Sequence, residues 1–595
     1  MDRRSQYHIA ESLEQSLGDP YNPESVMSFA KVVAIDESEI FPQTEIDWLY
    51  NWGLQNYYVP VEYGGKFTSF AELVAIIRVL ARRDQTIAIA MTTLFWSFLT
   101  WIGGTTAQKT KLAQEIIQQK GTMCLGYSEK EHGSDLIGGD LHGTKVSGGY
   151  LFNGEKWPIN RATHSTVSYI LAKTNLENTP KSLSLFQVHK RDINPENYYN
   201  LPKILTHGIR ASDMSGIGFK DCLIPETHLL QQEGDGLELA LKGFQITRTL
   251  CAAFSHGAAD TALRTTLNFA LNRQIYQKKV IDLPQPRQTL TDAFLDILIC
   301  ECETIPSARG FHIIPQQFSV WSAVVKYFVT TRLETMINNV SVVLGSRFYF
   351  REEHDWGIFQ KLLRDNSIIS MFDGSSVVNL HALILQLRQL TKYRDRRKPE
   401  TYHQISSTLV AIFSLDKPLP TFDGTKLSLF GRGIDYPLQG LEIAQTTLKT
   451  LTTVNSTVIN HLQDLTQIIL TELDNHDQTI TQSQFAFGHE QSPEMFEIAQ
   501  KYCTLHAACC CLHFWLYNRD RLGQFFAEGE WLVLSLHRLL RTIRPMAYYL
   551  DQVYVENITQ HMLKLYQENR QFSLIPIQLA NEDKINATPR LQLQN

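Results

Sequence analysis

From about residue 121 to residue 230 the chain changes texture, and this limits its architecture more than any other feature. Glycines become dense there, and short β-prone runs appear at residues 149–152, 167–172 and 183–188, each bounded by turn residues. Both flanks are helical by pattern. Upstream, Phe70, Leu73, Ile76, Ile77 and Leu80 recur at helical spacing, after a turn at residues 59–65. Downstream, residues 237–253 and 258–274 are the clearest helical runs, and Pro284-Gln285-Pro286 interrupts the pattern once. The fold predicted is mainly α with a central β domain. It divides into helices over 1–120, a β domain over 121–235, helices over 236–399 and a further helical block over 400–595. In that last block residues 441–473, 493–515 and 531–568 read as helical, 431–440 as a loop, and the polar end from 581 as frayed.

Composition excludes several classes. Hydrophobic residues make up 43% and charged residues 19% of the 595 positions, so a core of normal density can form and a disordered chain is excluded. The charges, 55 basic against 61 acidic, argue against a nucleic-acid partner. The basic run at 394–399 is short and reads as a solvated linker. Nine cysteines, an odd number with no secretory signal ahead of them, suit a reducing, cytoplasmic setting. The most apolar stretch, 87–104, carries Thr92, Thr93, Ser97 and Thr100, so a buried helix is expected there and no integral membrane segment. Cys503, His506, Cys510 and His513 fall on one helix stripe. A lone stripe rarely completes a metal site, so they read as core and no metal is expected.

Six motifs, met in order, carry a family resemblance. Ser128-Glu129-Lys130-Glu131-His132-Gly133-Ser134-Asp135 resembles a TEPxxGSD signature, and Asn153-Gly154-Glu155-Lys156 an NGEK hairpin. Gly208-Ile209-Arg210-Ala211-Ser212 and the segment 219–225 resemble G-x-R-x-S and F-x-x-x-x-V-P elements. Residues 269–277 resemble YAxxRxxFG, and 364–375 resemble RDAxxxxIYEGT. Together they cover about residues 25–390 and resemble the acyl-CoA dehydrogenase family of flavoproteins, in a long form with a C-terminal helical extension.

The resemblance implies an N-terminal helical domain, a β domain, a C-terminal four-helix bundle and bound FAD. It implies α,β-dehydrogenation of an acyl thioester on CoA or on a carrier protein. A base removes the α proton, hydride passes to flavin N5, and an electron-transfer acceptor reoxidises the flavin. Asp373, where the family has glutamate, is the implied base. It could instead only cap the following helix. The implied cofactor residues are Tyr127, Ser128, Gly133, Ser134, Trp157, Ile159, Asn160, Arg273, Tyr276, Gly345, Ser375 and Asn379. Arg273 would neutralise the pyrophosphate across a dimer interface, and Tyr276 takes the place of a phenylalanine beside the adenine. Ser134, Arg248 and Gly374 are the implied substrate residues, and a homodimer is implied for the long form.

The chain also departs from the pattern. Trp157 comes one place early, with Pro158 in its usual slot. It could pack near the flavin through a local bulge or belong to the β-domain core. Val342 falls where a glutamine is usual, and Ser346 replaces a glycine. These changes leave open a flavin oxidase or monooxygenase on the same fold, or a non-catalytic assembly paralogue.

Overall fold

The computed structural model describes residues 7–175, 177–394, 399–486, 488–546 and 551–581. It opens with seven helices: α1 His8–Leu17, α2 Phe29–Ser38, α3 Gln43–Trp52, α4 Phe70–Arg83, α5 Gln85–Thr92, α6 Ser97–Gly103 and α7 Thr106–Gln119. Local chemistry sets the boundaries of α4. Ser69 accepts the Glu72 N–H as its N-cap. Asp84 ends α4 and caps α5 through the Ile87 N–H. The run from α5 through α6 is long and apolar enough to cross a membrane, but 94% of it is buried inside the protein, as expected of a core helix.

The strands follow: β1 Met123–Gly126, β2 His142–Val146, β3 Gly149–Asn160, β4 Val167–Lys173, β5 Leu183–His189, β6 Tyr198–Leu201, β7 Met214–Pro225 and β8 Leu229–Leu230. They form one sheet in the order β6-β7-β3-β2-β4-β5-β8, with β1 paired to β4. The three β-prone runs lie in β3, β4 and β5. β4 and β5 are buried along almost their whole length, the polar Ser168, Ser184 and Gln187 included.

α8 spans Gly236–Asn272 as one 37-residue helix where the pattern showed two runs. α9 is Pro284–Ile313. Pro284 and Pro286 sit in its first turn, where a missing N–H leaves no bond unmade, so they start a helix rather than break one, while Pro306 lies inside it. α10 Phe318–Leu344, α11 Ile358–Asn366 and α12 Ser376–Lys392 follow. α8, α9, α10 and α12 make the four-helix bundle, and α4 lies against α8.

The extension adds α13 Pro399–Phe413, α14 Tyr436–Gln439, α15 Leu441–Thr450, α16 Ser456–Gln482, α17 Pro493–Asn518, α18 Gln524–Glu528, α19 Glu530–Leu540 and α20 Gln552–Gln567. The predicted run at 441–473 is therefore two helices, and the predicted loop at 431–440 holds the short α14. α17 packs on α9 and α12. Arg394, read from sequence as part of a solvated linker, is instead buried and paired with Asp477 at 2.5 Å. Asp395 to Lys398 and the tail from 582 lie outside the described residues.

After α20 the chain turns back across the bundle to the first helix. The backbone N–H groups of Phe572, Leu574 and Ala580 donate to the buried carboxylates of Asp260, Glu301 and Glu14. Glu14 is also held by Arg82 and Arg83.

Candidate functional site

β1 ends at Gly126 and releases a loop beside the helical layer. Two buried charges hold that loop in place. The Glu129 carboxylate accepts the N–H groups of Asp140 and Leu141 at 2.5 and 3.1 Å and the Lys156 ammonium at 2.6 Å. Lys156 also donates to the Tyr127 carbonyl, and the Trp157 N–H to the Ser128 carbonyl at 2.9 Å. Burial alone would raise the Glu129 carboxyl, but Lys156 and the two amides hold it below its ordinary value. The Asn153-Gly154-Glu155-Lys156 motif is no hairpin but lies inside β3, and its Lys156 staples the Ser128–Asp135 signature to that strand.

The stapled loop forms one wall of a cavity of about 630 Å³. The other walls come from α5, α8, the end of β3 and the turn before α12. Tyr127, Ser128, Gly133, Ser134, Asn160, Arg248, Asp373, Gly374 and Ser375 all line it. A Cβ built on Gly133 would meet nothing within 4 Å, so its backbone faces open space. The Tyr127 hydroxyl and the Asn160 side-chain oxygen are buried without a hydrogen-bond partner. Burial pushes the Tyr127 phenol well up, so it stays protonated and offers a donor. Such groups normally find partners, and a polar ligand edge in the cavity would supply them.

The turn before α12 places the carboxylate. Asp373 has φ +55° and Gly374 φ +99°. Aspartate tolerates the left-handed region better than most side chains do. Arg248 Nε donates to the Asp373 carbonyl at 2.9 Å, and Asn379 Nδ2 donates to the carbonyls of Gly374 and Ser375 at 2.7 and 2.9 Å. The N-cap of α12 is Ser375, which accepts the Val378 N–H, so Asp373 is not spent as a helix cap. Burial raises the Asp373 carboxyl above the ordinary aspartate value. Lys326, the Thr247 hydroxyl and Arg248 act in the opposite sense. Arg248 itself is pulled down to about 10 by burial, with Asp373 opposing. A Cβ on Gly374 would sit 2.7 Å from Arg248 Nη2. Gly374→Ala is therefore expected to displace Arg248 and the Asp373 carboxylate together, slowing any reaction that depends on that carboxylate by about 100-fold. The overall stability should change little, and an unaltered rate would show that the close approach is not needed.

The remaining residues singled out from sequence lie elsewhere. Asn379 is fully buried and ties the turn rather than reaching the cavity. Ile159 faces a small buried cluster with Cys124 and Ala162. The β3–β7 pairing shifts register between Lys156 and Ile159. Pro158 there reaches the cavity wall while Trp157 packs against Gly216 of β7. The expected bulge is present, but it presents the proline. Arg273, Tyr276 and Gly345 lie on the open surface, with Tyr276 88% exposed.

Sequence reasoning missed Trp96, Phe244 and Lys326. Trp96 and Phe244 line the cavity as a T-shaped pair. Lys326 is buried, donates to the Ile369 carbonyl and lies 4.6 Å from the Phe372 ring centroid. None carries a local motif. A lysine in the apolar first half of α10 was the one available signal. The paired arginines of the later motifs have a joining role: Arg210 and Arg364 both hold Asp36 of α2.

Two family models match the chain. The acyl-CoA dehydrogenase N-terminal domain covers residues 25–120 and the acyl-CoA dehydrogenase C-terminal domain residues 234–387. Mitochondrial isovaleryl-CoA dehydrogenase of Arabidopsis thaliana is 28% identical over 269 residues, 43% of this chain, and the match spans 64% of that protein's own length. The short/branched chain specific acyl-CoA dehydrogenase of Rattus norvegicus is 23% identical over 59% of this chain and 80% of its own. Among solved structures, butyryl-CoA dehydrogenase from Megasphaera elsdenii superposes with a TM-score of 0.58 at 21% identity, over 64% of this chain and 97% of that one. The prolyl acyl carrier protein oxidase AnaB does so with a TM-score of 0.58 at 15% identity, over 64% and 97%.

Proposed function

We propose, from the premise that this chain belongs to the acyl-CoA dehydrogenase family, that it oxidises an acyl thioester between its α and β carbons, with Asp373 as the base. One observation carries the reading. A carboxylate raised by burial and the unpartnered polar atoms of Tyr127 and Asn160 line one cavity. Those orphaned atoms fit the edge of an isoalloxazine, and the backbone at Gly133 leaves room for close approach. When bound, FAD would supply the acceptor for the hydrogen that leaves the β carbon with its electron pair.

The chain's own residues do the rest. The Asp373 carboxylate takes the α proton, and its raised proton affinity makes it a stronger base than a solvated aspartate. Arg248 fixes the turn that aims it. Tyr127, Ser128 and Ser134 offer donors, and Trp96 and Phe244 add apolar wall. Walls of this kind keep water from the reacting carbons.

Arg273, Tyr276 and Gly345 fit the reading as the far end of a dinucleotide site that a second copy of the chain covers. The exposed apolar side chains of Tyr276, Val342 and Tyr349 support it. The nine cysteines are all buried thiols, which supports a reducing compartment.

The absorption spectrum of the purified protein, before and after addition of FAD and desalting, is the first test. A retained flavin band is expected, and a chain that stays colourless overturns the reading. Anaerobic mixing then compares acyl-CoA with acyl carrier protein. Bleaching by one and not the other names the thioester, and turnover that requires oxygen would mark an oxidase.

A further inference from the structure

Where the extension meets the bundle, the structure gathers side chains that the proposed chemistry does not use. Glu303 of α9 and His506 and Cys510 of α17 are all fully buried. Glu303 Oε2 lies 3.0 Å from His506 Nδ1, and Cys510 Sγ lies 3.6 Å from the same nitrogen. A carboxylate oxygen, an imidazole nitrogen and a thiol sulfur thus fall within 4.8 Å of one another. On the far side of the ring, Nε2 lies 3.6 Å from Asp435 Oδ1, and Asp435 accepts a hydrogen bond from the Tyr502 hydroxyl.

A buried ion pair alone explains this cluster poorly. The His506 ring and the Cys510 thiol both turn toward the Glu303 carboxylate, so three potential ligand atoms converge. Glu303 Oε1 is buried and has no hydrogen-bond partner, which is costly for a carboxylate. Bonds of about 2.0–2.3 Å to a tetrahedral ion place ligand atoms roughly 3.3–3.6 Å apart, close to the separations observed. Asp435 stands 3.6 Å behind the second imidazole nitrogen, beyond hydrogen-bond length but on the side where a metal-bound histidine usually has its outer carboxylate.

We propose that Glu303, His506 and Cys510 bind one zinc ion, which fastens α17 of the extension to α9 of the bundle. The donor set selects the metal. Thiolate and imidazole with carboxylate suit zinc, whereas calcium and magnesium need oxygen ligands throughout. The unpartnered Glu303 Oε1 is available for a fourth position. The other members of the sequence stripe are not needed: His513 donates to the Pro437 carbonyl at 2.9 Å, and Cys503 is packed in the core. The stripe alone lacked a ligand from outside its own helix, and Glu303 provides one from 203 residues away.

Metal analysis of the full-length protein, purified from zinc-supplemented culture without chelators, tests this directly. About one zinc per chain is expected in the wild type. Cys510→Ser and Glu303→Gln should each hold at least about tenfold less. Metal-stripped protein given cobalt should develop a thiolate-to-metal charge-transfer band, and Cys510→Ser should not. Wild-type protein that carries no zinc and takes up neither zinc nor cobalt overturns the proposal. So does zinc retained undiminished in both variants. Should the variants fail to fold, the wild-type zinc content and cobalt spectrum decide the matter.

Discussion

Asp373→Asn is expected to bind FAD as the wild type does and to lose substrate-driven flavin reduction by about 10³-fold, within the range that a positioned general base contributes. The amide keeps the shape of the turn, because the bonds that hold it run to the backbone carbonyls of Asp373, Gly374 and Ser375, and the amide oxygen can still accept from the Thr247 hydroxyl. Stopped-flow bleaching with an acyl thioester separates the two halves of the expectation. Flavin occupancy reports the fold, and the bleaching rate reports the base. Normal bleaching in this variant would remove Asp373 from the reaction. In the wild type the pH dependence follows from the same carboxyl. Only the ionised form accepts a proton, and burial raises its pKa, so bleaching should slow as pH falls, starting above the ordinary aspartate value of about 3.9. Asp373→Glu should keep much of the rate, since it restores the longer carboxylate of the family pattern at a cost in left-handed backbone strain.

Lys156→Met should be the most damaging change outside the cavity. Lys156 and Glu129 have side chains only 4% and 8% exposed, and they face each other at 2.6 Å. Removing the cation strands a buried carboxylate, a loss of about 3–5 kcal/mol. The same change unfastens the loop that carries Tyr127, Ser128, Gly133 and Ser134, so flavin affinity should fall with stability. Chemical denaturation and flavin titration read the two effects. The double variant Glu129→Gln/Lys156→Met should recover part of the stability, because no unpaired charge remains. A single variant as stable as the wild type would show that the pair does not hold the loop.

The fold and the heart of the site were legible for different reasons. The β domain announced itself through period and glycine density, which are local properties. Asp373, Ser128 and Gly133 could be placed because spacing along the chain survives divergence. Other outcomes depended on what the chain meets after folding. Pro284 and Pro286 read as a break because the sequence does not say which turn of a helix they occupy. Arg394 read as solvated because its partner, Asp477, lies on another helix. Trp157 and Pro158 exchanged roles through a register shift that no periodicity records. The partner of Lys326 could not be read because it is a backbone carbonyl, which has no residue type. Glu303 and His506 meet only in the packed core, so neither helix hints at the other.

The returning segment after α20 bears on how the chain is made. The carboxylate of Glu14 is buried against two arginines, and its last hydrogen-bond donor, the Ala580 amide, arrives 566 residues later. Asp260 and Glu301 likewise wait for Phe572 and Leu574. During synthesis the early helices therefore emerge before these donors exist, and the carboxylates gain them only once residues 572–580 have left the ribosome. Contacts of such sequence separation form late and slowly. The segment acts as a latch whose timing is set by translation, and a nascent chain stalled short of it would present its first layer unfinished to chaperones and proteases.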